Sequence, residues 1–139
     1  MQVNQAMSTA FTVIPPSTTL RQAAQLMRDG DYGYLPVGEN DRLTGAVTDR
    51  DVVVRGMAEG LDADSRVSEI LSQDIIYCYD DDDVSNAADL MEANQVRRLV
   101  VLNRAKRMVG VISLGDIART CNDHRLTGQI ETKVAQPAF

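Results

Sequence analysis

The chain has 139 residues, of which 44% are hydrophobic and 24% charged, proportions typical of a globular protein with a buried core. Its net charge of −6 argues against a nucleic-acid partner, because duplex binding normally relies on a basic surface that displaces counterions. The sequence shows neither an apolar run of about 18 residues nor a signal-peptide pattern. We therefore expect no membrane partner and a cytoplasmic location.

The cysteines and the histidine suggest no chemistry of their own. Cys78 and Cys121 are far apart in sequence and form no recognisable zinc-ligand cluster, so we expect buried, reduced thiols and no bound metal. His124 stands alone, and a lone histidine near a helix end is usually a surface residue.

An internal repeat organises the chain. Residues 64 apart match in order through the first part of each copy, and residues 65 apart match after a one-residue insertion in a turn. Matched pairs include Val3 with Val67, Ala23 with Ala87, Met27 with Met91, Gly45 with Gly110 and Asp51 with Asp116. We infer a duplication with copies at residues 1–62 and 63–123, followed by a partly ordered tail at 124–139. Each copy alone would be marginal in size, so the copies should need each other.

Each copy begins with a predicted strand and an amphipathic helix. Residues 11–14 form a short β-rich run that Pro15 and Pro16 close. Apolar residues then follow at helical spacing, which predicts a helix with one apolar face. These residues are Leu20, Ala23, Ala24 and Met27 in the first copy and Val84, Ala87, Ala88 and Met91 in the second.

A hairpin and a second helix complete each copy. The apolar runs 34–37 and 43–48 are joined by a polar turn at 38–42, and the runs 98–102 and 108–113 repeat the pattern. Helices are predicted to follow from Asp49 to about Ala58 and from Leu114 to about Cys121. Residues 58–66 are polar and predict an exposed linker.

The resulting order β-α-β-β-α, present twice, predicts an α+β fold with small mixed sheets and helices on one side. The second copy is expected to cover the other face of the first. A pseudo-two-fold axis would relate the copies, with a central cleft that contains two equivalent pockets.

A hydroxyl residue and an aspartate stand three apart after the last strand of each copy, as Thr48 with Asp51 and Ser113 with Asp116. A hydroxyl at a helix start lies where phosphate is favoured, and a carboxylate one turn later can accept two hydrogen bonds from a ribose diol. The alternative is a capping box, in which both side chains bond to the backbone of their own helix. Capping and binding can coexist.

The motifs together resemble a tandem pair of cystathionine-β-synthase (CBS) domains, also called a Bateman module. The resemblance covers roughly residues 1–122 and rests on three patterns that have counterparts in the second copy, where Val100 replaces Pro36. They are Thr19-Leu20-x-x-Ala23, Leu35-Pro36-Val37 and the Gly-x-x-Thr-x-x-Asp ending. The arrangement and the linker resemble those of stand-alone bacterial pairs, including the hypoxic-response type.

The resemblance implies a role for each member of the repeated motif. Asp51 and Asp116 would hold ribose, and Thr48 and Ser113 would approach the α-phosphate or the ribose. The ligand would be an adenosine nucleotide, with AMP preferred among AMP, ADP, ATP and NAD.

Basic and apolar residues would complete the nucleotide site. Arg50 and the pair Arg97-Arg98 would contact phosphate, the alternative being exposed surface charges. The adenine would be lined by six residues, some donated across the cleft: Thr12, Tyr32, Ala46, Ile76, Val96 and Val111. Gly33-Tyr34 replaces the arginine pair in the first copy and Gly115 replaces Arg50 in the second, which predicts unequal phosphate affinity.

The acidic run from Asp80 to Asp83 could attract a divalent cation, but it lacks the ligand spacing and the turn glycine of a calcium loop. Acidic side chains are favourable at a helix start in any case.

The sequence therefore predicts a non-catalytic regulatory module that binds an adenosine nucleotide and signals to a separate, unidentified target protein. A homodimer of pairs is expected from the resemblance. The first alternative is a dimeric interaction scaffold with degenerate nucleotide sites. A small enzyme is the second, but no activated nucleophile, zinc-ligand cluster or glycine-rich phosphate loop is present.

Overall fold

The computed structural model describes residues 1–121, with only the backbone of Cys121. The predicted tail at 124–139 and His124 lie outside the described residues. The elements run in the order α1 Val3–Ala6, α2 Leu20–Gly30, β1 Tyr34–Glu39, β2 Arg42–Thr48, α3 Asp49–Asp51, a π-helix Val52–Met57, a 3-10 helix Val67–Glu69, β3 Tyr77–Tyr79, α4 Val84–Asn94, β4 Arg98–Leu102, β5 Met108–Ser113 and α5 Leu114–Cys121. This mixture of helices and small sheets confirms the predicted α+β class.

The chain forms two compact units whose boundaries differ from those of the sequence copies. The first unit is Thr12–Ile75, and the second unit joins Met1–Phe11 to the described residues from Ile76 onward. Each unit therefore combines the main part of one copy with the segment that begins the other copy. We call residues 1–11 the first leader and residues 63–75 the second leader.

The first unit contains an antiparallel hairpin, β1 with β2, as predicted. The turn is shorter than the predicted 38–42, because only Asn40 and Asp41 lie between the strands, with φ of 53° and 63°. Positive φ at both positions is the geometry of a tight two-residue hairpin turn. The prediction of a strand at 11–14 is wrong, since only Ile14 pairs, in a parallel bridge to Val37. Two prolines follow Ile14, and neither has an N–H to continue a ladder.

The second unit contains the mixed three-stranded sheet that the sequence predicts for each copy. Its order is β3-β4-β5, with β3 parallel to β4 and β4 antiparallel to β5. The helix α4 covers this sheet with all four predicted apolar residues, Val84, Ala87, Ala88 and Met91, buried.

The helix α2 is the counterpart of α4 and starts at a full capping box. The Gln22 N–H donates to the Thr19 hydroxyl at 3.1 Å, and the Thr19 N–H donates to the Gln22 side chain at 3.0 Å. Leu20, Ala23 and Met27 are buried as predicted, but Ala24 is exposed. Ala24 instead lines a shallow apolar groove with Leu20, Val52, Met57 and Leu61, among others.

The predicted second helix of the first copy is not a regular α-helix. It starts at Asp49 as predicted but continues as a π-helix over Val52–Met57. The Ala58 N–H donates to the Val53 carbonyl at 2.9 Å, the five-residue spacing of a π-helix. Its counterpart α5 is a regular α-helix from Leu114 to Cys121.

Each leader docks on the hairpin of the opposite copy with the same hydrogen bonds. In the first unit, Ser72 and Ala46 exchange two backbone hydrogen bonds of 2.9 and 3.0 Å. In the second unit, Ser8 and Val111 exchange the equivalent pair, at 2.8 and 3.0 Å. Val67 of the second leader and Val3 of the first are fully buried, each within the core of the unit that receives it. The leaders are thus structural parts of these units. Most residues of the predicted linker at 58–66 are exposed, as expected.

Two glycines on the hairpins allow the leaders to approach this closely. A Cβ at Gly45 would lie 2.8 Å from the Ser72 carbonyl oxygen, and one at Gly110 would lie 2.8 Å from the Ser8 carbonyl oxygen. We expect Gly45→Ala and Gly110→Ala each to lower the free energy of unfolding by about 1–3 kcal/mol, because the leader backbone must shift. Urea unfolding measures this. Gly115→Ala is the matched control, since its Cβ would lie 3.3 Å from the flexible end of Arg119 and at an ordinary contact distance of 3.7 Å from the Ser113 hydroxyl. A loss of similar size there would contradict the steric explanation.

The thiol of Cys78 is buried in the core of the second unit, on β3. Burial, together with the negative charge of Asp82, raises its pKa from 9.0 to about 12. Because the unfolded thiol ionises at lower pH, this group stabilises the fold below about pH 9, and the contribution is lost as pH rises toward 12. We expect the peptide that contains Cys78 to remain unlabelled by a thiol reagent at pH 8 until the protein is unfolded in urea. Labelling of this peptide in native protein, read by mass spectrometry, would contradict this.

The acidic run from Asp80 to Asp83 has structural roles. Asp83 caps α4 by accepting from the Ser85 N–H at 2.9 Å, and Asp82 accepts from the Tyr79 N–H at 2.9 Å. Asp81 forms an ion pair with Arg104 at 2.8 Å. These contacts give structural partners to the carboxylates of Asp81, Asp82 and Asp83.

Candidate functional site

The first copy of the motif lies where β2 ends and α3 begins. The Asp51 N–H donates to the Thr48 hydroxyl at 3.1 Å, and the Thr48 N–H donates to Oδ2 of Asp51 at 2.9 Å. Both side chains are half-buried. Within residues 1–121, Oδ1 of Asp51 accepts no hydrogen bond, so one carboxylate oxygen is open to a ligand.

The second copy repeats this geometry between β5 and α5. The Asp116 N–H donates to the Ser113 hydroxyl at 3.1 Å, and the Ser113 N–H donates to Oδ2 of Asp116 at 2.9 Å. Arg119, one turn further along α5, forms an ion pair with Oδ1 of Asp116. Both oxygens of this carboxylate therefore have protein partners, unlike those of Asp51.

The capping interpretation of both motifs is thus correct in its geometry. Each hydroxyl and each carboxylate satisfies backbone N–H groups that a helix start would otherwise leave unpaired. A ribose role for Asp51 and Asp116 is compatible with this, because a carboxylate offers about four lone-pair directions and the box uses one. That role stays a prediction.

The predicted arginine pair lies beside the second motif. Arg98 stands opposite Ser113 in the β4–β5 register, and the Arg97 carbonyl accepts from the Leu114 N–H at 2.9 Å. Both side chains are exposed. In the described part of the chain, no carboxylate lies within ion-pair distance of either guanidinium, so both are available to an anion.

The equivalent positions of the first copy have a different character. Tyr34 stands opposite Thr48, and the Asp49 N–H donates to the Gly33 carbonyl at 3.0 Å. A Cβ at Gly33 would lie 2.6 Å from Oδ2 of Asp49, so the Asp49 carboxylate occupies the space that a side chain at 33 would need. Arg50 is exposed, and its N–H donates to Oδ1 of Asp49 at 2.8 Å.

Sequence reasoning missed three residues at these sites: Tyr34, Asp49 and Arg119. Burial raises the pKa of Tyr34 to about 12, so its phenol remains neutral at ordinary pH. Aligning the copies gives a signal for two of the three, because Tyr34 matches Arg98 and Asp49 matches Leu114. Helical spacing gives the signal for Arg119, which is three residues after Asp116 on α5.

The predicted adenine-lining residues are divided between the units. Thr12, Tyr32 and Ala46 belong to the first unit, where Thr12 is exposed, Tyr32 half-buried and Ala46 buried. Ile76, Val96 and Val111 belong to the second unit and are half-buried. Ala46 and Val111 also form backbone hydrogen bonds with the leaders, Ala46 with Ser72 and Val111 with Ser8. An adenine contact for these six residues remains a prediction.

Comparison with known proteins identifies the family. A family model for the CBS domain matches residues 3–56 and again residues 67–123. The chain belongs to the CBS-domain family. CBS pairs are regulatory modules, and both copies predicted from the sequence are matched, which confirms the resemblance.

Two CBS proteins of similar length align over most of the chain. Hypoxic response protein 1 of Mycobacterium tuberculosis is 39% identical over 122 residues, which are 86% of this chain and 85% of that protein. The CBS domain-containing protein YhcV of Bacillus subtilis is 32% identical over 133 residues, 96% of this chain and 94% of that protein.

Solved structures agree with this assignment. The crystal structure of Hypoxic Response Protein I with two coordinated zinc ions has a TM-score of 0.76 and 37% identity, covering 86% of this chain and 98% of that chain. The CBS pair of protein MJ0100, in complex with 5-methylthioadenosine and S-adenosyl-L-methionine, has a TM-score of 0.73 and 20% identity, covering 90% of this chain and 98% of that chain. The second likeness shows the fold alone.

Among residues 1–121, no group of three or more His, Cys, Asp or Glu side chains could hold a metal ion. The same part of the chain contains no helix that is both long and apolar enough to span a bilayer.

Proposed function

We propose that this CBS pair is a non-catalytic sensor that binds an adenosine nucleotide and signals to a separate target protein. The observation that carries the proposal is the repeated geometry of Thr48 with Asp51 and of Ser113 with Asp116. AMP is the first candidate among AMP, ADP, ATP and NAD. Its single phosphate is enough to pair with the few arginine side chains that lie near the motifs. The ligand of MJ0100, a protein of the same fold, supports the adenosine class.

Nucleotide would act by shifting a conformational equilibrium. A ligand changes such an equilibrium only by its different affinity for the two states. The π-helix Val52–Met57 follows directly after Asp51 and has irregular hydrogen bonding. A ribose bound to the Asp51 carboxylate would therefore act on the residue from which this helix starts. We infer that the target protein responds to this segment.

Native mass spectrometry of protein purified without added nucleotide tests the proposal, followed by calorimetry with AMP, ADP, ATP and NAD. We expect a bound adenosine compound or a micromolar response to at least one nucleotide. Calorimetry with GMP is the control for the base. Equal responses to GMP and AMP, or no response to any nucleotide, would contradict the proposal.

A dimeric scaffold with degenerate sites is the second candidate, and an exposed apolar surface favours it. Val53, Val54 and Met57 on the π-helix are 55%, 42% and 72% exposed, which is unusual for large apolar side chains. We propose that a second copy of the chain covers this surface. Light scattering would show a dimer that Met57→Lys weakens, and a monomer at all concentrations would contradict the scaffold.

A further inference from the structure

The two motifs carry opposite charge. Around the first motif, residues 48–51 and 33–34 contribute the carboxylates of Asp49 and Asp51 and the guanidinium of Arg50, a net charge of −1. Residues 113–116 and 97–98 around the second motif contribute one carboxylate, Asp116, and two guanidinium groups, a net charge of +1. The hydroxyl and the aspartate make the same capping-box hydrogen bonds in both copies, and Asp116 has an additional bond from Arg119.

The negative charge of the first motif is fixed in place. The Asp49 carboxylate fills the space next to Gly33 and accepts the Arg50 N–H at 2.8 Å, so it stays close to the start of the motif. A phosphate at this position would meet the like charge of Asp49, which water screens only partly at short range. A neutral or cationic ligand meets no such repulsion, and the open oxygen of Asp51 can accept its ribose hydroxyls.

The second motif has available positive charge for a phosphate but a carboxylate whose second oxygen is already bonded. Arg97 and Arg98 are exposed, and no carboxylate of residues 1–121 lies within ion-pair distance of them, so they can make bidentate bonds to a phosphate. Arg119 already occupies the second oxygen of Asp116. A ribose therefore competes with an ion pair here, and a phosphate that draws Arg119 away would free that oxygen.

We propose that the two copies sort adenosine compounds by charge, the first binding a neutral or cationic one and the second a phosphorylated one. The inference rests on the proposed function and adds to it the ligand class of each motif. A chain of this kind would report a ratio between two adenosine metabolites rather than the level of one.

Calorimetry with adenosine, S-adenosylmethionine, AMP and ATP tests the sorting, with the single variants Asp51→Asn and Asp116→Asn assigning each ligand to a motif. We expect Asp116→Asn to weaken AMP and ATP by about tenfold and Asp51→Asn to weaken them by less than about twofold. Adenosine and S-adenosylmethionine should show the opposite dependence. The asparagine side chain retains the oxygen that the capping box needs.

Variants that remove charged side chains near each motif test whether charge is what sorts the ligands. Arg97→Gln with Arg98→Gln should weaken AMP by about tenfold or more and leave adenosine within about twofold. Asp49→Asn should let a second AMP bind, seen as a doubly loaded species by native mass spectrometry. Raising the salt concentration should weaken AMP and not adenosine.

The results separate the two proposals. If no probe binds, the proposed nucleotide function itself fails. If the probes bind but Asp51→Asn and Asp116→Asn weaken AMP and adenosine alike, or if the arginine variant weakens both equally, the sorting is wrong and the nucleotide function stands.

Discussion

Replacing Asp51 and Asp116 together by asparagine should lower the affinity for every adenosine compound that binds by about 10- to 20-fold, while the fold is retained. Each carboxylate would lose charge-assisted hydrogen bonds to ribose, which are worth about 1.5–3 kcal/mol. The amide oxygen of asparagine can still accept from the Thr48 or Ser113 N–H, so the capping box survives. Calorimetry measures the affinity, and urea unfolding measures the stability.

A second pair of variants measures how much the hydroxyl caps contribute to stability. Thr48→Ala with Ser113→Ala removes the hydroxyl caps and should cost about 1 kcal/mol of stability at each helix start. If the asparagine variant binds nucleotide as the unmodified protein does, neither carboxylate holds ribose. The motif would then be a capping device alone.

Ile70→Ala should lower the free energy of unfolding by about 2–5 kcal/mol, the usual range for a large apolar side chain that leaves a cavity in a core. Ile70 is fully buried and belongs to the second leader, yet its neighbours are core residues of the first copy, including Ile14 and Leu35. Residues 63–75 would thus be required for the stability of the unit that begins at Thr12. Urea unfolding followed by circular dichroism gives the difference.

Ser68 provides the matched control for Ile70, since it lies two residues away in the same leader and is exposed. Ser68→Ala should change the free energy of unfolding by no more than about 0.5 kcal/mol. A loss below about 1 kcal/mol for Ile70→Ala would mean that the leader contributes little to the core.

Local patterns predicted most of the elements correctly. Helical spacing gave α2 and α4, and alternation around polar turns gave both hairpins, because each of these signals depends on neighbouring residues. Ala24 and the run at 11–14 were predicted wrongly for a common reason. Whether an alanine is covered, or a short β-rich run finds a partner strand, depends on distant parts of the chain that no local pattern specifies.

The docking of the leaders could not be predicted from the sequence patterns either, because it also depends on distant parts of the chain. Ser8 bonds to Val111 and Ser72 to Ala46, and no pattern within either leader indicates which hairpin it pairs with. At the site, the motif residues themselves were predictable because they follow strands at fixed spacing. Asp49 and Tyr34 differ from their matched residues in the second copy, but their contacts were not predictable, since these depend on the space beside Gly33 and on the pairing across β1 and β2.

The exchange of leaders sets an order for folding during synthesis. The unit that begins at Thr12 has all its residues once Ile75 has left the ribosome, so it can fold while the rest of the chain is still being made. The first leader has no such early partner, because Ser8 must wait for Val111, which is synthesised about a hundred residues later. Until then Val3, which ends fully buried, is exposed to water. The beginning of this chain is therefore among the last parts to fold, and slow translation would prolong the exposure of its apolar residues to other nascent chains.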